Sequence, residues 1–434
     1  MPKYWSFKLA EIAPFRGIRY NKTVVGDLNK VTSPPYDVIS PEEKQRYLQL
    51  HPQNFVRLIL GEDKDTDTDS DNRFTRANAY INDWIASGAL AQDDKPSIYI
   101  YNQEFEQHGK LSKVRGFTVA VKLHHYSDKV ILPHENTLAK PKSHLGPLLR
   151  ATRTNLDSVY GLYADEQGVL DAIMDRVMEA DPAADVRDRD GVRHQLWVLS
   201  DRDEINKIVK FMSDKQIAIA DGHHRYETAL AYSDEMREKS PCACGCCELP
   251  SDYALMTVAN VFQKDMTIFP THRVVDNLSD EALTSLDDRL RELFDIENSS
   301  KSGLIDDMKK RSAIGMYRAG SAKTVKLKRD PGELLEGSDA SRNLELNILH
   351  KLVLERILGI DKDKLRDQSH IIYTRDAQEA MTLVDSGEKQ IAFLLNNIEV
   401  KSVLDIAAAG EKMPQKATYF YPKLLSGLVL RKMD

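Results

Sequence analysis

The chain has 434 residues, 41% of them hydrophobic and 29% charged, and its formal net charge is −7. This composition supports a packed core and disfavours disorder, and at about 150 residues per domain the length predicts two or three domains. The acidic balance counts against a nucleic-acid partner, because such proteins usually carry a positive face. No apolar run reaches the ~18–20 residues that span a bilayer, and residues 1–6 lack a secretory signal. We therefore expect a cytoplasmic protein with no membrane partner.

The first predicted elements are a helix and a β-hairpin. Residues 61–72 are rich in Asp and Thr and indicate a solvated loop, after which residues 73–87 show apolar side chains at helical spacing. Residues 97–103 and 116–123 alternate and are rich in β-forming residues. A turn near residues 107–110 separates these two runs, so a hairpin is the simplest interpretation.

A strand, a glycine turn and a helix are predicted further along the chain. They follow a strand at 194–199 and a helix at 203–213. Residues 216–220 form a short apolar run, the polar segment 221–225 interrupts it, and residues 226–236 predict a helix. This order aims backbone N–H groups at an anion.

The last part of the chain predicts a second domain. Its elements follow a βαβ-like order, which together with the preceding elements indicates a mixed α/β fold. We place the domain boundary near residue 276, with domains at 1–275 and 276–434. The predicted elements are a helix at 279–294, two strands within 314–328, a strand at 371–373, a helix at 376–385 and a strand at 390–395.

The segment from Asp221 to Arg225 is the strongest candidate site. Gly222 allows a tight turn and a close approach to a ligand, and Arg225 offers a planar fork suited to phosphate oxygens. His223 and His224 can donate hydrogen bonds, carry a proton or bind a metal, and Asp221 can hold a cation or orient a histidine. The alternative is a solvated polar turn with an N-cap aspartate. We favour a site, since no core-packing purpose requires five such residues in a row.

Two polar segments follow apolar runs elsewhere. In the first, His134 precedes Glu135, a carboxylate that could serve as a general base or metal ligand. In the second, His272 precedes Arg273, which could be a second phosphate clamp. An ordinary strand exit and a surface turn are the respective alternatives, and the spacing alone does not decide between them.

A proline-rich segment gives a fourth candidate. Pro34 and Pro35 fix an extended approach and place Tyr36 and Asp37 at a loop tip. A purely structural turn is an equally good interpretation.

All four cysteines fall within six residues, at Cys242, Cys244, Cys246 and Cys247. They cannot staple distant loops, which fits a reducing compartment. Structural zinc usually takes pairs of ligands from two places, so a closed mononuclear site is awkward here. Binding of a thiophilic metal and a vicinal disulfide stay open, but we favour an inert loop insertion.

Taken together, these motifs resemble the bacterial and archaeal family called domain of unknown function 1015. The resemblance extends over nearly the whole chain, and many separate segments match in the right order. The segments are 14–21 (PFRGIRYN), 34–39 (PPYDVI), 54–58 (NFVRL), 133–135 (PHE), 219–229 (IADGHHRYETA) and 413–423 (MPQKATYFYPK).

The signature around Gly222 also resembles the phosphate-binding turn of the wider ParB/sulfiredoxin superfamily, which includes ParB CTPases, sulfiredoxins and free-serine kinases. This resemblance implies a ParB/sulfiredoxin-like core with insertions, followed by a C-terminal α/β domain. It implies that Gly222, His224 and Arg225 cradle phosphates, and that Asp221 holds Mg²⁺ or polarises the acceptor hydroxyl. The glycine turn contains no cysteine, so sulfinic-acid reduction is not expected, and no DNA-reading helix-turn-helix is recognisable.

We also expect roles for the other candidate residues, which no local family motif assigns. The expected catalytic residues are Asp221, His223 and Glu135, with Glu135 as the general base, and Arg273 is expected to contact phosphate. An additional site is expected from Tyr36, Asp37, His134, His272 and Lys423.

Three functions follow, in order of preference. The first is a small-molecule phosphotransferase that uses ATP, ADP or pyrophosphate with Mg²⁺, for which free L-serine is the best acceptor. The second is a nucleotide hydrolase or switch that uses water in the same pocket. The third is a ParB-like DNA-associated protein, against which the net charge argues. The expected partners are a small-molecule substrate and a nucleotide or pyrophosphate, and a homodimer is the candidate oligomeric state.

Overall fold

The computed structural model describes residues 9–107, 109–135, 139–239, 247–414 and 416–433. The chain divides into two compact units. The first unit comprises Met1–Pro133, Thr137–Met266 and Pro422–Asp434, and the second comprises His134–Asn136 and Thr267–Tyr421. Compared with the predicted ranges 1–275 and 276–434, this division falls earlier in the chain and returns the last segment to the first unit.

The strands of the two units are numbered in chain order. Those before residue 266 belong to the first unit and are β1 (Ile12–Ala13), β2 (Ile18–Tyr20), β3 (Leu90–Gln92), β4 (Ile98–Gln107), β5 (Lys110–Lys122), β6 (Ile131–Leu132), β7 (Thr154–Asn155), β8 (Val159–Tyr163), β9 (Ala184–Arg187), β10 (Arg193–Leu199), β11 (Ile217–Asp221) and β12 (Tyr253–Asn260). The strands after it are β13 (Thr267–Phe269), β14 (His272–Val275), β15 (Phe294–Ser299), β16 (Ile314–Arg318), β17 (Ser321–Leu327), β18 (Ile371–Thr374), β19 (Ile391–Leu394), β20 (Tyr419–Tyr421) and, back in the first unit, β21 (Arg431–Lys432).

The α-helices are numbered in the same way. They are α1 (Lys22–Val25), α2 (Pro41–Leu50), α3 (Val56–Ile59), α4 (Arg73–Ala86), α5 (Ala139–Thr152), α6 (Asp171–Met178), α7 (Arg202–Met212), α8 (His223–Lys239), α9 (Asp280–Leu293), α10 (Leu304–Arg311), α11 (Asp339–Arg342), α12 (Glu345–Ile348), α13 (Lys362–Arg366), α14 (Ala377–Asp385) and α15 (Val400–Ala408). A π-helical segment, Leu349–Ile357, continues α12. Short 3₁₀ turns lie at Leu28–Lys30, Tyr36–Val38, Tyr126–Asp128, Pro250–Asp252 and Pro331–Glu333. None of the described helices is long and apolar enough to cross a bilayer.

The first unit is built on a large mixed sheet. Its strand order is β6-β11-β8-β12-β5-β4-β10-β9, and β1 pairs with β5. The β6–β11 and β8–β12 pairs are parallel, and the other pairs in this sheet are antiparallel. Apolar side chains of the central strands pack with α6 and α7 to form the core, including Ile100, Phe117, Met174 and Ile208.

The second unit has its own antiparallel sheet and its own core. The sheet order is β15-β17-β16-β19-β14-β18. Strand β14 lies between β18 and β19 and pairs antiparallel with both, so β18-α14-β19 is a split βαβ arrangement. Its core joins Val274 and Leu394 of the sheet to Met308 of α10 and Met381 of α14.

The predicted mixed α/β class is confirmed, and most predicted elements lie where periodicity placed them. The helix at 73–87 is α4, whose N-cap Asn72 closes a capping box with Thr75. The predicted hairpin is β4–β5, paired from Tyr99–Thr118 to Gln107–Lys110. Strands β8 and β12 are central but were not predicted, because both are buried on two faces and show no alternation.

Candidate functional site

The predicted strand–glycine–helix junction lies in the first unit. Strand β11 ends at Asp221, where its register with β8 shifts after Ile219. Gly222 turns the chain with φ at 90°, and α8 begins at once with His223. The helix therefore starts three residues before the predicted position of Tyr226. His223, His224 and Arg225 consequently lie in its first turn, where the helix dipole is positive.

Gly222 is required for two separate reasons. Its positive φ lies in a region that residues with a Cβ atom rarely adopt. In addition, a Cβ atom there would lie 2.9 Å from Nε and 3.0 Å from Cζ of Arg225. The arginine side chain folds back over the glycine, so the turn and the position of the guanidinium depend on each other.

Asp221 holds two cations at the helix start. Its Oδ2 accepts a hydrogen bond from Nη2 of Arg225 at 2.8 Å, and its Oδ1 accepts one from Nζ of Lys423 at 2.7 Å. Burial would raise the pKa of Asp221, but Lys423 and Arg225 outweigh it and lower that pKa to about 2. The Arg225 and Lys423 side chains are only 10% and 13% exposed, so the charges interact in a poorly solvated environment.

Lys423 is positioned through its main chain. Its carbonyl accepts a hydrogen bond from Nε2 of Gln103 at 2.8 Å. Two residues later, the backbone N–H of Leu425 donates to the Tyr101 hydroxyl at 3.2 Å. Both anchors belong to β4, so the central sheet holds the C-terminal segment that carries this cation.

A buried relay in turn holds Tyr101. The Tyr101 hydroxyl lies 2.6 Å from Nδ1 of His194, and Nε2 of His194 lies 3.0 Å from Oδ2 of Asp188. Because a carboxylate accepts, Nε2 carries the proton and Nδ1 accepts from the tyrosine. Burial raises the pKa of Tyr101, which keeps its hydroxyl protonated for this bond.

Tyr36 and Asp37, predicted as part of an additional site, lie beside Arg225. Nη1 of Arg225 donates to the backbone carbonyl of Ser158. Burial alone would lower the pKa of Arg225, but it is raised by Asp221, Asp157 and Asp37. The Arg225 guanidinium therefore stays charged: it bonds to Asp221 and interacts through space with the carboxylates of Asp157 and Asp37.

Asp157 is a member of this cluster that the sequence prediction missed. Burial raises its pKa, opposed by Arg225 and by a hydrogen bond from Ser426. Its Oδ1 atom is buried and has no hydrogen-bond partner. The signal available in the sequence was an Asp-Ser pair directly before the apolar run 159–163, but that run was not predicted as a strand.

The two histidines of the signature differ in exposure. His223 is buried and adds to the lowering of the Asp221 pKa, while His224 is partly exposed. His223 thus faces the interior beside Asp221, and His224 retains contact with solvent. Their predicted catalytic and phosphate-binding roles stay predictions.

Four other predicted residues lie in the second unit, where Glu135 and His134 form one group. Oε1 of Glu135 accepts a hydrogen bond from the backbone N–H of Lys416 at 2.9 Å. The backbone of Glu135 forms an isolated parallel β-bridge with Met413. His134 is fully buried, and its Nε2 lies 2.9 Å from the Thr418 hydroxyl. The predicted role of Glu135 as a general base stays a prediction.

His272 and Arg273 form the other group. Burial lowers the pKa of His272 to about 4, and its Nδ1 accepts from the backbone N–H of Leu395 at 3.2 Å. Arg273 is fully buried, and burial lowers its pKa to about 10. Its guanidinium donates to Nε2 of His350 at 3.1 Å and to the backbone carbonyls of Thr271 and Lys416. These contacts tie Arg273 to three other parts of the second unit. Its predicted phosphate contact stays a prediction.

The metal predictions concern Asp221 and the cysteines. Both Asp221 oxygens accept hydrogen bonds from cationic groups, so the residue does not fit a resident Mg²⁺ in this arrangement. Cys242, Cys244 and Cys246 lie outside the described residues, and Cys247 is exposed. Within the described ranges, no group of three or more His, Cys, Asp or Glu residues has the arrangement of a metal site.

This fold and site define a mixed α/β protein in which one aspartate holds two cationic side chains, Arg225 and Lys423, at the start of a helix. The chain belongs to the family described as Protein of unknown function (DUF1015), whose profile matches residues 12–352. The predicted family membership is thereby confirmed. No curated protein matches the chain.

Several solved structures align with about two thirds of the chain at low similarity. A conserved hypothetical protein from Pyrococcus furiosus is 10% identical with a TM-score of 0.34, covering 68% of this chain and 89% of its own. A free serine kinase in complex with AMP is 11% identical with a TM-score of 0.36, covering 67% and 84%. SbnI with C-terminal truncation, from Staphylococcus aureus, is 12% identical with a TM-score of 0.34, covering 71% and 85%. Likeness at this level does not assign an activity to this chain.

Proposed function

We propose that this protein binds a polyphosphate at the β11–α8 junction and transfers a phosphoryl group to a small hydroxyl compound. The donor is ATP, ADP or pyrophosphate, and free L-serine is the first acceptor to test. The observation that carries the proposal is the pairing of Arg225 and Lys423 on one carboxylate, Asp221, at the start of α8. Phosphoryl transfer depends mainly on positioning and charge neutralisation, and this arrangement supplies both.

The chemistry assigns separate tasks to the residues. Arg225 and Lys423 neutralise the phosphate oxygens, while Asp221 keeps both cations oriented before the donor arrives. Gly222 lets the backbone approach the phosphates, and the dipole of α8 adds positive charge. His224 is our candidate donor to a phosphate oxygen, and His223 is the candidate to accept the acceptor's proton.

In this proposal, Mg²⁺ enters the site bound to the phosphoryl donor. Mg²⁺ is commonly held by the phosphates of a nucleotide, water and one or two carboxylates. Because Asp221 is committed to two cations, the donor would be supplied as its Mg²⁺ complex. No step is assigned to a resident metal.

The test is an assay of phosphoserine and orthophosphate with ATP, ADP or pyrophosphate, in the presence and absence of L-serine and Mg²⁺. We expect phosphoserine with at least one donor. The R225A variant should lose about 100-fold or more in kcat/KM, the usual effect of removing a group that stabilises transition-state charge. R202A is the matched control, since Arg202 is an exposed arginine that opens α7 and should be dispensable.

Three outcomes separate the alternatives. Orthophosphate released equally with and without serine would favour the nucleotide hydrolase. Absence of both products and of donor binding would overturn the proposal. Activity of R225A equal to that of R202A would remove the site from the reaction.

A further inference from the structure

A small cavity opens beside Arg225 within the first unit. Its volume is about 50 Å³. Its polar lining residues include Tyr36, Asp157, Arg225 and Thr228. Much of the remaining wall is apolar and includes Leu148 and Leu255. A water molecule occupies about 30 Å³ in the liquid, so this space suits a group of a few non-hydrogen atoms.

Two residues of this wall each carry a buried polar atom without a hydrogen-bond partner. These atoms are Oδ1 of Asp157 and Oγ1 of Thr228. Buried polar atoms are nearly always paired, because an unpaired one loses its hydration without compensation. Two such atoms on residues that line one cavity indicate that a bound group completes their hydrogen bonds.

The neighbours of Asp157 do not supply that group. Ser426 bonds to the Asp157 carboxylate, while the Arg225 guanidinium donates to Asp221 and to the backbone carbonyl of Ser158. Burial raises the pKa of Asp157, and Arg225 opposes this through space without bonding to Oδ1. A carboxylate oxygen needs a donor, and a threonine hydroxyl can accept from one.

We propose that this cavity binds a small aliphatic primary ammonium group, with Oδ1 of Asp157 as its ion-pair partner and Oγ1 of Thr228 as a second acceptor. An ammonium group has three N–H donors and can serve both atoms at once. The apolar wall contacts the carbon atoms attached to it. In the proposed reaction this group belongs to the phosphoryl acceptor, and that link rests on the proposed function, whereas the binding itself does not.

The test uses ligands in the absence of any phosphoryl donor. Ethylammonium and ethanolammonium chlorides are compared with ethanol and sodium propionate by calorimetry and by thermal unfolding. We expect only the ammonium compounds to bind and to raise Tm. Asp157→Asn should weaken their binding tenfold or more, because the amide carries no charge. Asp165→Asn is the matched control: Asp165 is a buried aspartate that already accepts a hydrogen bond from the Leu170 N–H, and its replacement should leave ammonium affinity unchanged.

A second variant keeps the inference testable if Asp157→Asn folds poorly. Thr228→Val preserves the shape of the side chain and removes the unpaired hydroxyl. It should be at least as stable as the parent without ligand, and it should bind ethylammonium about fivefold more weakly, the loss of one net hydrogen bond. Equal binding by the parent of ethanol and ethylammonium, or equal affinity of parent and Asp157→Asn, would overturn the inference. If the protein binds ammonium compounds but forms no phosphoserine, the ammonium site is retained and the proposed kinase activity is rejected.

Discussion

At the residue scale, the site depends on the close packing of the Arg225 side chain against Gly222. The glycine has a positive φ, and the guanidinium occupies the space that a Cβ atom would need. Asp221 fixes the other side of that guanidinium. A residue type chosen for its missing side chain thus determines where a charge lies.

We expect Gly222→Ala to impair both stability and phosphate binding. The strained φ should cost about 1 kcal/mol or more in the free energy of unfolding, and the displaced guanidinium should weaken pyrophosphate binding as much as R225A does. Denaturant unfolding and calorimetry measure the two effects. Gly88→Ala is the control, since Gly88 has φ at 75° and no atom lies within 4 Å of the position that a Cβ atom would take.

Gly88→Ala should show a similar loss of stability with unchanged pyrophosphate affinity. If Gly222→Ala binds pyrophosphate as tightly as Gly88→Ala does, the close approach of Arg225 has no bearing on the ligand.

At the element scale, strand β4 positions a residue that lies more than 300 positions away in sequence. Gln103 and Tyr101 bond to the main chain on either side of Leu424, and Tyr101 is held by His194 of the neighbouring strand β10. Lys423 reaches Asp221 from this anchored segment. The cation is therefore placed by the sheet rather than by a local motif.

Tyr101→Phe tests this anchoring. It removes the hydroxyl and leaves the Leu425 N–H and Nδ1 of His194 without their partner, which should cost about 1–3 kcal/mol in the free energy of unfolding. We also expect weaker pyrophosphate binding, because Lys423 loses one of its two anchors. Tyr20→Phe is the control, since the Tyr20 hydroxyl donates to the Gln53 carbonyl at 2.7 Å and lies outside this relay.

A loss of stability with full pyrophosphate affinity in Tyr101→Phe would show that the relay is structural only. Calorimetry on the folded fraction of both variants distinguishes the two results.

At the scale of the whole molecule, the first unit is completed by the last segment of the chain. Residues 422–434 belong to the first unit, although the second unit precedes them in sequence. Strand β21 pairs with β7, and the buried Arg431 donates to Asn155 and to the carbonyls of Tyr253 and Pro250. The segment contributes both a strand and the cation Lys423.

We expect truncation after Tyr421 to unfold the first unit near room temperature. It removes four buried apolar side chains, at residues 424, 428, 429 and 430. At about 1.5–3 kcal/mol each, their burial is comparable with the net stability of a domain. Circular dichroism and limited proteolysis follow the loss, and a synthetic peptide of residues 422–434 should restore folding.

Lys423→Ala in the full-length chain separates the two contributions of this segment. It should stay folded and lose pyrophosphate affinity. A truncated chain that stays folded, or a Lys423→Ala variant with parental affinity, would contradict this account of the segment.

Local patterns in the sequence determined much of the secondary structure and the centre of the site. Alternation predicted β4 and β5, helical spacing predicted α4 and α7, and the turn at Gly222 grouped Asp221 and Arg225 as candidate site residues. The predicted strands and helices are found because backbone geometry imposes a fixed period on residues close in sequence. The same patterns did not reveal β8 or β12, where burial on both faces removes the period.

Only the tertiary structure decided which distant residues complete the site. It brings Lys423 to Asp221 and brings Tyr36 and Asp157 near Arg225, and it places Glu135 and Arg273 in the other compact unit. Which side chains meet across a sheet depends on strand order and register, which short-range periodicity does not encode. The candidate residues around Gly222 could therefore be identified from their own five positions, but their distant partners could not.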